Sequence, residues 1–439
     1  MATDKQFGPA QRYADAQEQP RQDAPRSGAP PRRPGLMHGF RALRNRNYRL
    51  YATGQIVSLT GSWMQTTAQS WLVLELTKSP FALGLVATLQ FLPIMLLSLF
   101  GGVIVDRMPK HRLVLITQSA GLIQAALFWV LVATGAIQLW HVYILAAMQG
   151  TITAIDNPAR QTFSAELVGR DNLVNAVALN SMQFNLARII GPAVAGVAIA
   201  ALGFAPVLLA NTISFVAVLA GLLMMDPREF HSAPPRPQGR VLQELAEGLR
   251  YSWRTPRVLL IMILIAAIGT FGYNFGVVLP LLAGFVLHTD SAGFGGLSAF
   301  LGVGSLAAAL ATAYSSRLTT KRLLVSALAF SLLFAAVAVT PVLALSAVLL
   351  IALGFAGISF TTTANTMLQL HVPDELRGRV MSLYMLLFAG STPIGAFLIG
   401  TLSERIGVSA TLLICGALCG LGVGVAYLYQ KKTEEGREK

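Results

Sequence analysis

The 439-residue chain is 54% hydrophobic and 12% charged, and it carries a formal net charge of +13. A mean hydropathy of +0.60 and repeated apolar runs of about 20 residues, the length that crosses a hydrocarbon core, exclude an ordinary soluble domain. The positive excess flanks the apolar runs instead of forming one patch, so attraction to anionic headgroups accounts for it and no nucleic-acid partner is expected.

Residues 1–40 are rich in Pro, Gln, Arg and Ala and contain no apolar run. They read as a disordered tail and not as a signal peptide, which would place an apolar core directly behind its basic start. Apolar spans are expected near 50–73, 81–105, 113–134, 141–163, 178–201 and 204–225. After a polar stretch they resume near 258–282, 294–314, 323–341, 343–369, 380–402 and 408–429. Of the 33 Lys and Arg residues, only Lys78 and Arg405 fall in connectors on one side, and Arg188 lies within a span. The other thirty sit in the alternate connectors, in both tails or just inside span ends, which assigns that side and both termini to the cytoplasm. An all-α polytopic membrane protein with twelve transmembrane helices follows: a six-helix bundle at 41–225, a connector at 226–257, a second bundle at 258–430 and a tail at 431–439.

In the first span Gln55, Ser58, Ser62, Gln65 and Gln69 recur at intervals of three and four, which puts them on one helix face. Five polar side chains would be unfavourable against lipid, so protein or water must face them. The second connector reads Gly102-Val103-Ile104-Val105-Asp106-Arg107, followed by Lys110, His111 and Arg112. This resembles the Gly-x-x-x-Asp-Arg signature of the major facilitator superfamily. In that reading Gly102 permits close helix approach, Asp106 faces a positive helix N-terminus, and Arg107 and Lys110 pair with acids, together forming a cytoplasmic gate.

Further along, span 4 holds Gln149 and Gly150, with Ala146 where the superfamily's antiporters would place an arginine. Span 5 holds Gly191, Pro192 and Gly196, similar to the antiporters' Gly-Pro-rich motif and expected to kink the helix. Asp156-Asn157-Pro158-Ala159-Arg160-Gln161 and Val372-Pro373-Asp374-Glu375-Leu376-Arg377-Gly378-Arg379 resemble the enterobactin-exporter-like and macrolide-efflux-like branch. Asp156–Gln161 followed by 167–173 in the first half, and Thr363–Thr366 followed by 371–379 in the second, recur at the same ordinal span, as do Gly191-Pro192 and Thr392-Pro393, as a parallel six-plus-six repeat would require. The stretch 241–253 places Leu242, Leu245 and Leu249 on one face, an interfacial helix.

The resemblance implies two pseudo-symmetric bundles around a central cavity lined by spans 1, 4, 7 and 10. That makes Gln55, Ser62, Gln65, Gln69, Gln149, Tyr273, Asn274, Thr362 and Asn365 candidate cavity residues. Asp156 and Arg188 are the candidate coupling pair, bridged if necessary by Gln149 and Asn185. The implied activity is alternating-access export of an amphipathic small molecule, siderophore-, macrolide- or drug-like, from the bacterial inner membrane, with protons as the coupling ion. An importer on the same fold and a non-transporting scaffold are the alternatives. No Walker-type loop, metal-ligand cluster or nucleophile constellation is visible, so neither enzymatic activity nor a cofactor is expected, and the histidines lie only in loops or at span ends. Gly416, Gly420 and Gly424 read as packing within a monomer.

Overall fold

The computed structural model describes residues 36–231, 241–313 and 319–438. Side-chain surroundings are described for these except at 36–39, 98–103, 106, 241–245, 313 and 436–438. Most of the expected tail at 1–40 therefore lies outside the described residues. Contacts divide the chain into Met1–Gly39 and Phe40–Lys439, and every helix named below belongs to the second unit.

Among the described residues the fold is helical throughout. Helix α1 is Arg46–Thr77, α2 Pro80–Arg107 and α3 Lys110–Ala133, and the run Leu139–Leu202 divides into α4 (139–168) and α5 (170–202). A straight helix of 64 residues would extend about 96 Å. Instead Gly169 takes φ 68°, a conformation open to glycine, and the chain folds back so that Asn180 Nδ2 donates to Ser164 Oγ at 3.0 Å. Helix α6 is Phe204–Leu223, α7 Val241–Arg254, α8 Pro256–Phe271 and α9 Phe275–Leu281, the last continued by one π-helical turn. The rest are α10 Ser291–Ala313, α11 Thr320–Ala338, α12 Leu343–His371, α13 Asp374–Ala389, α14 Thr392–Ile406 and α15 Val408–Glu438. The expected tail at 431–439 thus continues α15 as helix.

Local chemistry sets these limits. Asn45 accepts from the Tyr48 N–H at 2.9 Å, and Ser79 accepts from Ala82 with Pro80 opening α2, both familiar N-terminal devices. Nine helices among the described residues are long and apolar enough to cross a membrane, or ten if the bent pair α7–α8 counts as one span. That measure does not reach the expected twelve. It takes α4 and α5 as one run, passes over α1 with its polar stripe, and meets the seventh span broken between Phe271 and Phe275.

Apolar side chains fill the core and also cover much of the outer surface. Ile123, Val197, Ile213, Leu332 and Val348 are exposed, while Gln124, Asn211, Ser346 and Thr411 are buried. Hydrocarbon solvates the former; Gln124 and Asn211 find partners on other helices, while Ser346 and Thr411 donate to the nearby carbonyls of Thr340 and Gly407. The helix ends gather at two poles. The connector end holds residues near 46, 108, 169, 226–231, 241–254, 320 and 372, and the far end holds those near 78, 135, 203, 288, 340 and 407. Asn47 ties α1 to the connector by donating to the Asp226 carbonyl and to Glu229, both at 3.0 Å.

Candidate functional site

A cavity of about 500 Å³ lies between the two halves of the fold, within the range of small-molecule sites. Trp63, Phe91, Phe184, Phe215, Phe275 and Phe294 supply apolar wall. Ser58, Ser62, Gln69, Gln149, Asp156, Arg160, Arg188, Tyr273 and Asn274 supply the polar groups. The break between α8 and α9 is what brings Tyr273 and Asn274 to the cavity, because Asn274 leaves helical geometry there (φ −91°, ψ 45°). Its Nδ2 donates to the Thr270 carbonyl at 2.7 Å, while its Oδ1 is buried without a partner, as is Gln149 Oε1.

Asp156 is the only carboxylate lining the cavity among the described residues, and it is fully engaged. Its Oδ2 meets Arg160 Nε at 2.8 Å, and its Oδ1 accepts from Thr117 Oγ1 at 2.6 Å and Gln118 Nε2 at 2.9 Å. Arg160 in turn donates to Gln55 Oε1 at 2.6 Å. The ion pair has i, i+4 spacing, which stacks two side chains on one helix face, and it links α4 to α1 and α3. The expected pairing of Asp156 with Arg188 is absent. Arg188 lines the same cavity, but its guanidinium donates only to Asn185 Oδ1 at 3.2 Å, and no carboxylate lies within 4 Å among the described residues.

Other expected residues have other surroundings. Gln65 lies off the main cavity, donating to Gln124 Oε1 at 3.1 Å and accepting from Asn211 at 2.7 Å. Gln55 is occupied by Arg160. Asn185 sits beside Arg188 and donates to the Ser181 carbonyl at 2.8 Å. Thr362 and Asn365 are not part of the wall: Asn365 accepts from Gln369 at 2.6 Å and bonds to Tyr384. Within the second connector, Lys110 Nζ donates to the carbonyls of Val105 and Met108 at the end of α2, and Arg107 is exposed. The surroundings of Gly102 and Asp106 lie outside the described residues. Helical backbone continues through Gly191, Pro192 and Gly196, since Gly169 is the one non-helical position in that run. Gly191 instead packs on Trp63, and Gly196 on α10.

The far end is closed by two helix crossings. A Cβ on Gly84 would lie 2.6 Å from the Ala396 carbonyl and 2.8 Å from Gly400 Cα. One on Gly196 would lie 2.4 Å from the Ser291 carbonyl and 2.8 Å from Gly295 Cα. Only glycine permits such approach. The two crossings, α2 with α14 and α5 with α10, correspond under the six-plus-six repeat. Trp71 stacks on Phe294 at 5.8 Å, and Glu404 accepts from Ser79 Oγ at 2.8 Å and the Phe81 N–H at 3.1 Å, capping α2 from the other half. Among the described residues, no hydrogen bond, ion pair or ring contact joins the halves at the connector end.

A family model described as transmembrane secretion effector matches residues 37–438. The chain is 28% identical over 387 residues to the multidrug efflux pump Tap of Mycolicibacterium fortuitum, covering 85% of this chain and 93% of that one. It is 27% identical over 365 residues to the staphyloferrin A transporter of Staphylococcus aureus, covering 81% and 89%. It is 26% identical over 361 residues to the enterobactin exporter EntS of Citrobacter koseri, covering 80% and 83%. Among solved structures, the nucleoside transporter NupG superposes with a TM-score of 0.69 at 14% identity, covering 88% of this chain and 99% of that one. A bacterial homolog of the human lysosomal transporter Spinster, inward-facing and unoccupied, gives 0.68 at 12% identity, covering 88% and 97%. At these identities the structural likeness speaks to the fold.

Proposed function

The chain belongs to the transmembrane secretion effector family of major facilitator transporters, and from that membership we propose that it exports amphipathic small molecules, siderophore-, macrolide- or drug-like, by proton-coupled alternating access. It works in the bacterial inner membrane with both termini cytoplasmic. One observation supports the direction of loading: the cavity is sealed at the far end, and among the described residues no hydrogen bond, ion pair or ring contact joins the halves at the connector end. Basic residues concentrate at that connector end, which orients it to the cytoplasm. The conformation is then the one in which an exporter takes up its cargo. The half bundles divide near 225 and 258, with α7 lying at the cytoplasmic surface. There Leu249 and Trp253, one turn apart, are exposed, which suits an interfacial helix.

Asp156 carries the coupling proton in this reading. Ionised, it fixes Arg160 against Gln55 and so ties α4 to α1. Protonated, it loses the attraction that holds the guanidinium, and the two helices are released to shift. The Gly102–Lys110 motif closes the cytoplasmic side in the opposite state.

Inverted membrane vesicles test the proposal. Vesicles containing the protein should accumulate at least one of two amphipathic probes, the cationic macrolide erythromycin or the carboxylate dansylglycine, when their interior is acidified, and a protonophore should abolish accumulation. Cysteines introduced at Gly135 or Asp290 should label from outside intact cells, and one at Pro373 should not. The native Cys415 and Cys419 are buried and give no background. Uptake into right-side-out vesicles instead, or the reverse labelling, refutes the assignment.

A further inference from the structure

Among the described residues the cavity wall holds two cations and one anion. Asp156 and Arg160 neutralise each other at 2.8 Å, with their side chains 8% and 20% exposed, and Thr117, Gln118 and Gln55 complete their hydrogen bonds. Arg188 is left over. One of its five N–H donors is used, on Asn185, and neither Nε nor Nη1 is both buried and unpartnered. The net formal charge facing a ligand is therefore +1, carried by a guanidinium on α5 between Phe184 and Pro192, one helical turn either way.

We propose that Arg188 is the specificity-determining residue of this cavity, and that the exported molecules bear an anionic oxygen group, a carboxylate or its equivalent, on an apolar or aromatic body. The proposal rests on the export reading above and narrows its substrate class. An open cavity lets water hydrate Arg188. A bulky ligand that fills the space against Trp63, Phe184 and Tyr273 displaces that water. If the ligand is neutral, it leaves a charge desolvated and short of acceptors, an unfavourable arrangement. If it carries a carboxylate, the planar guanidinium meets it with two parallel charge-assisted hydrogen bonds, stronger and more directional than neutral ones. A cationic drug gains nothing from Asp156, whose oxygens are already committed to three donors.

Dansylglycine and its neutral amide, dansylglycinamide, share one fluorescent body and differ in charge. The full-length protein in phosphatidylcholine nanodiscs should bind the carboxylate at least about tenfold more tightly, the ratio expected when a charge-assisted bond replaces a neutral contact. Empty nanodiscs give the lipid background. Arg188→Met should bind the two probes alike, whereas Arg188→Lys should retain part of the preference, as a point charge without the fork. Equal binding to the wild-type protein, binding of neither probe, or a preference that survives in Arg188→Met overturns the proposal. If Arg188→Met does not fold, the wild-type ratio and its reduction in Arg188→Lys decide the matter. Erythromycin export with no preference between the dansyl probes removes the anion site and leaves export standing. A clear preference without transport of any kind leaves the site and removes the export reading.

Discussion

Removing the Asp156 carboxylate should destabilise the fold severely, and removing Arg160 with it should restore most of the loss. At an effective dielectric constant of about 20, opposite charges 2.8 Å apart attract by about 6 kcal/mol before desolvation is counted. Both groups are largely out of water, so much of that attraction offsets the cost of burying them. The net worth of the pair is small, but a lone survivor keeps its burial cost without its partner, and breaking such a pair typically costs about 3–5 kcal/mol. Asp156→Leu also strands the Gln118 amide, while the Thr117 hydroxyl keeps the Val114 carbonyl at 3.1 Å. Asp156→Leu with Arg160→Met replaces the pair by apolar groups of similar bulk. It should lie within about 1–2 kcal/mol of the wild type, because only neutral hydrogen bonds remain unmade. Unfolding in mixed detergent micelles, followed by tryptophan fluorescence, supplies the four corners of the cycle. Single variants that each cost under about 1 kcal/mol, or a double variant as unstable as the two singles summed, would show that the pair is not the mutually dependent unit its geometry describes.

Gln65→Ala should act on stability and not on cargo. It leaves Asn211 and Gln124 short of buried partners, at a cost of about 1–3 kcal/mol, while Trp63→Ala, which opens the cavity wall, should alter the range of molecules exported; a changed range in Gln65→Ala contradicts this. Glu404→Gln should weaken the cap that the second half places on α2. The charge–dipole contribution at a helix N-terminus implies a two- to fivefold shift, as an order of magnitude, toward the state open at the far end. Spin labels at Gly135 and Pro341 measure that population, and an unchanged distance distribution speaks against the cap. Gly84→Leu should prevent the α2–α14 crossing from closing, so a cysteine at cavity residue Ser298 becomes reactive from the far side. Continued protection there means that other contacts make the seal.

Much of the fold is legible because lipid imposes few solutions. Apolar runs and basic flanks locate most of the spans within a few residues. The site is less legible, for a physical reason. A polar side chain inside a helical bundle needs a partner whether that partner is another helix or the cavity, and the spacing of Gln55, Ser62, Gln65 and Gln69 is the same in both cases. Gln65 found Asn211 on α6, while Ser62 and Gln69 reached open space. Thr362 and Asn365 follow from span number alone, and depth along the helix leaves them off the wall. The partner of Asp156 was available in the sequence, as the i, i+4 position of Arg160. The aromatic wall was not, since a phenylalanine facing lipid and one facing a ligand obey the same periodicity.

Helix α5 joins recognition to closure. Arg188, Pro192 and Gly196 succeed one another at four-residue intervals, so they share one face, and at 1.5 Å per residue they span about 12 Å. Arg188 lines the cavity. The Pro192 carbonyl lies where a Cβ on Gly295 would meet it at 2.5 Å, and Gly196 makes the far-end crossing with the same residue. Helical φ and ψ run through all three, but Pro192 has no N–H to give the Arg188 carbonyl, so the recognition residue and the seal meet across a bend-prone turn of one helix. The seal itself is mostly backbone against backbone and ring against ring, with little side-chain entropy bound up in it. Such a joint gives a sharp alternative between closed and open instead of a gradual loosening, because close-packed glycine contacts are lost within fractions of an ångström. In this arrangement the charge that selects the cargo and a glycine that gates its exit belong to one helix.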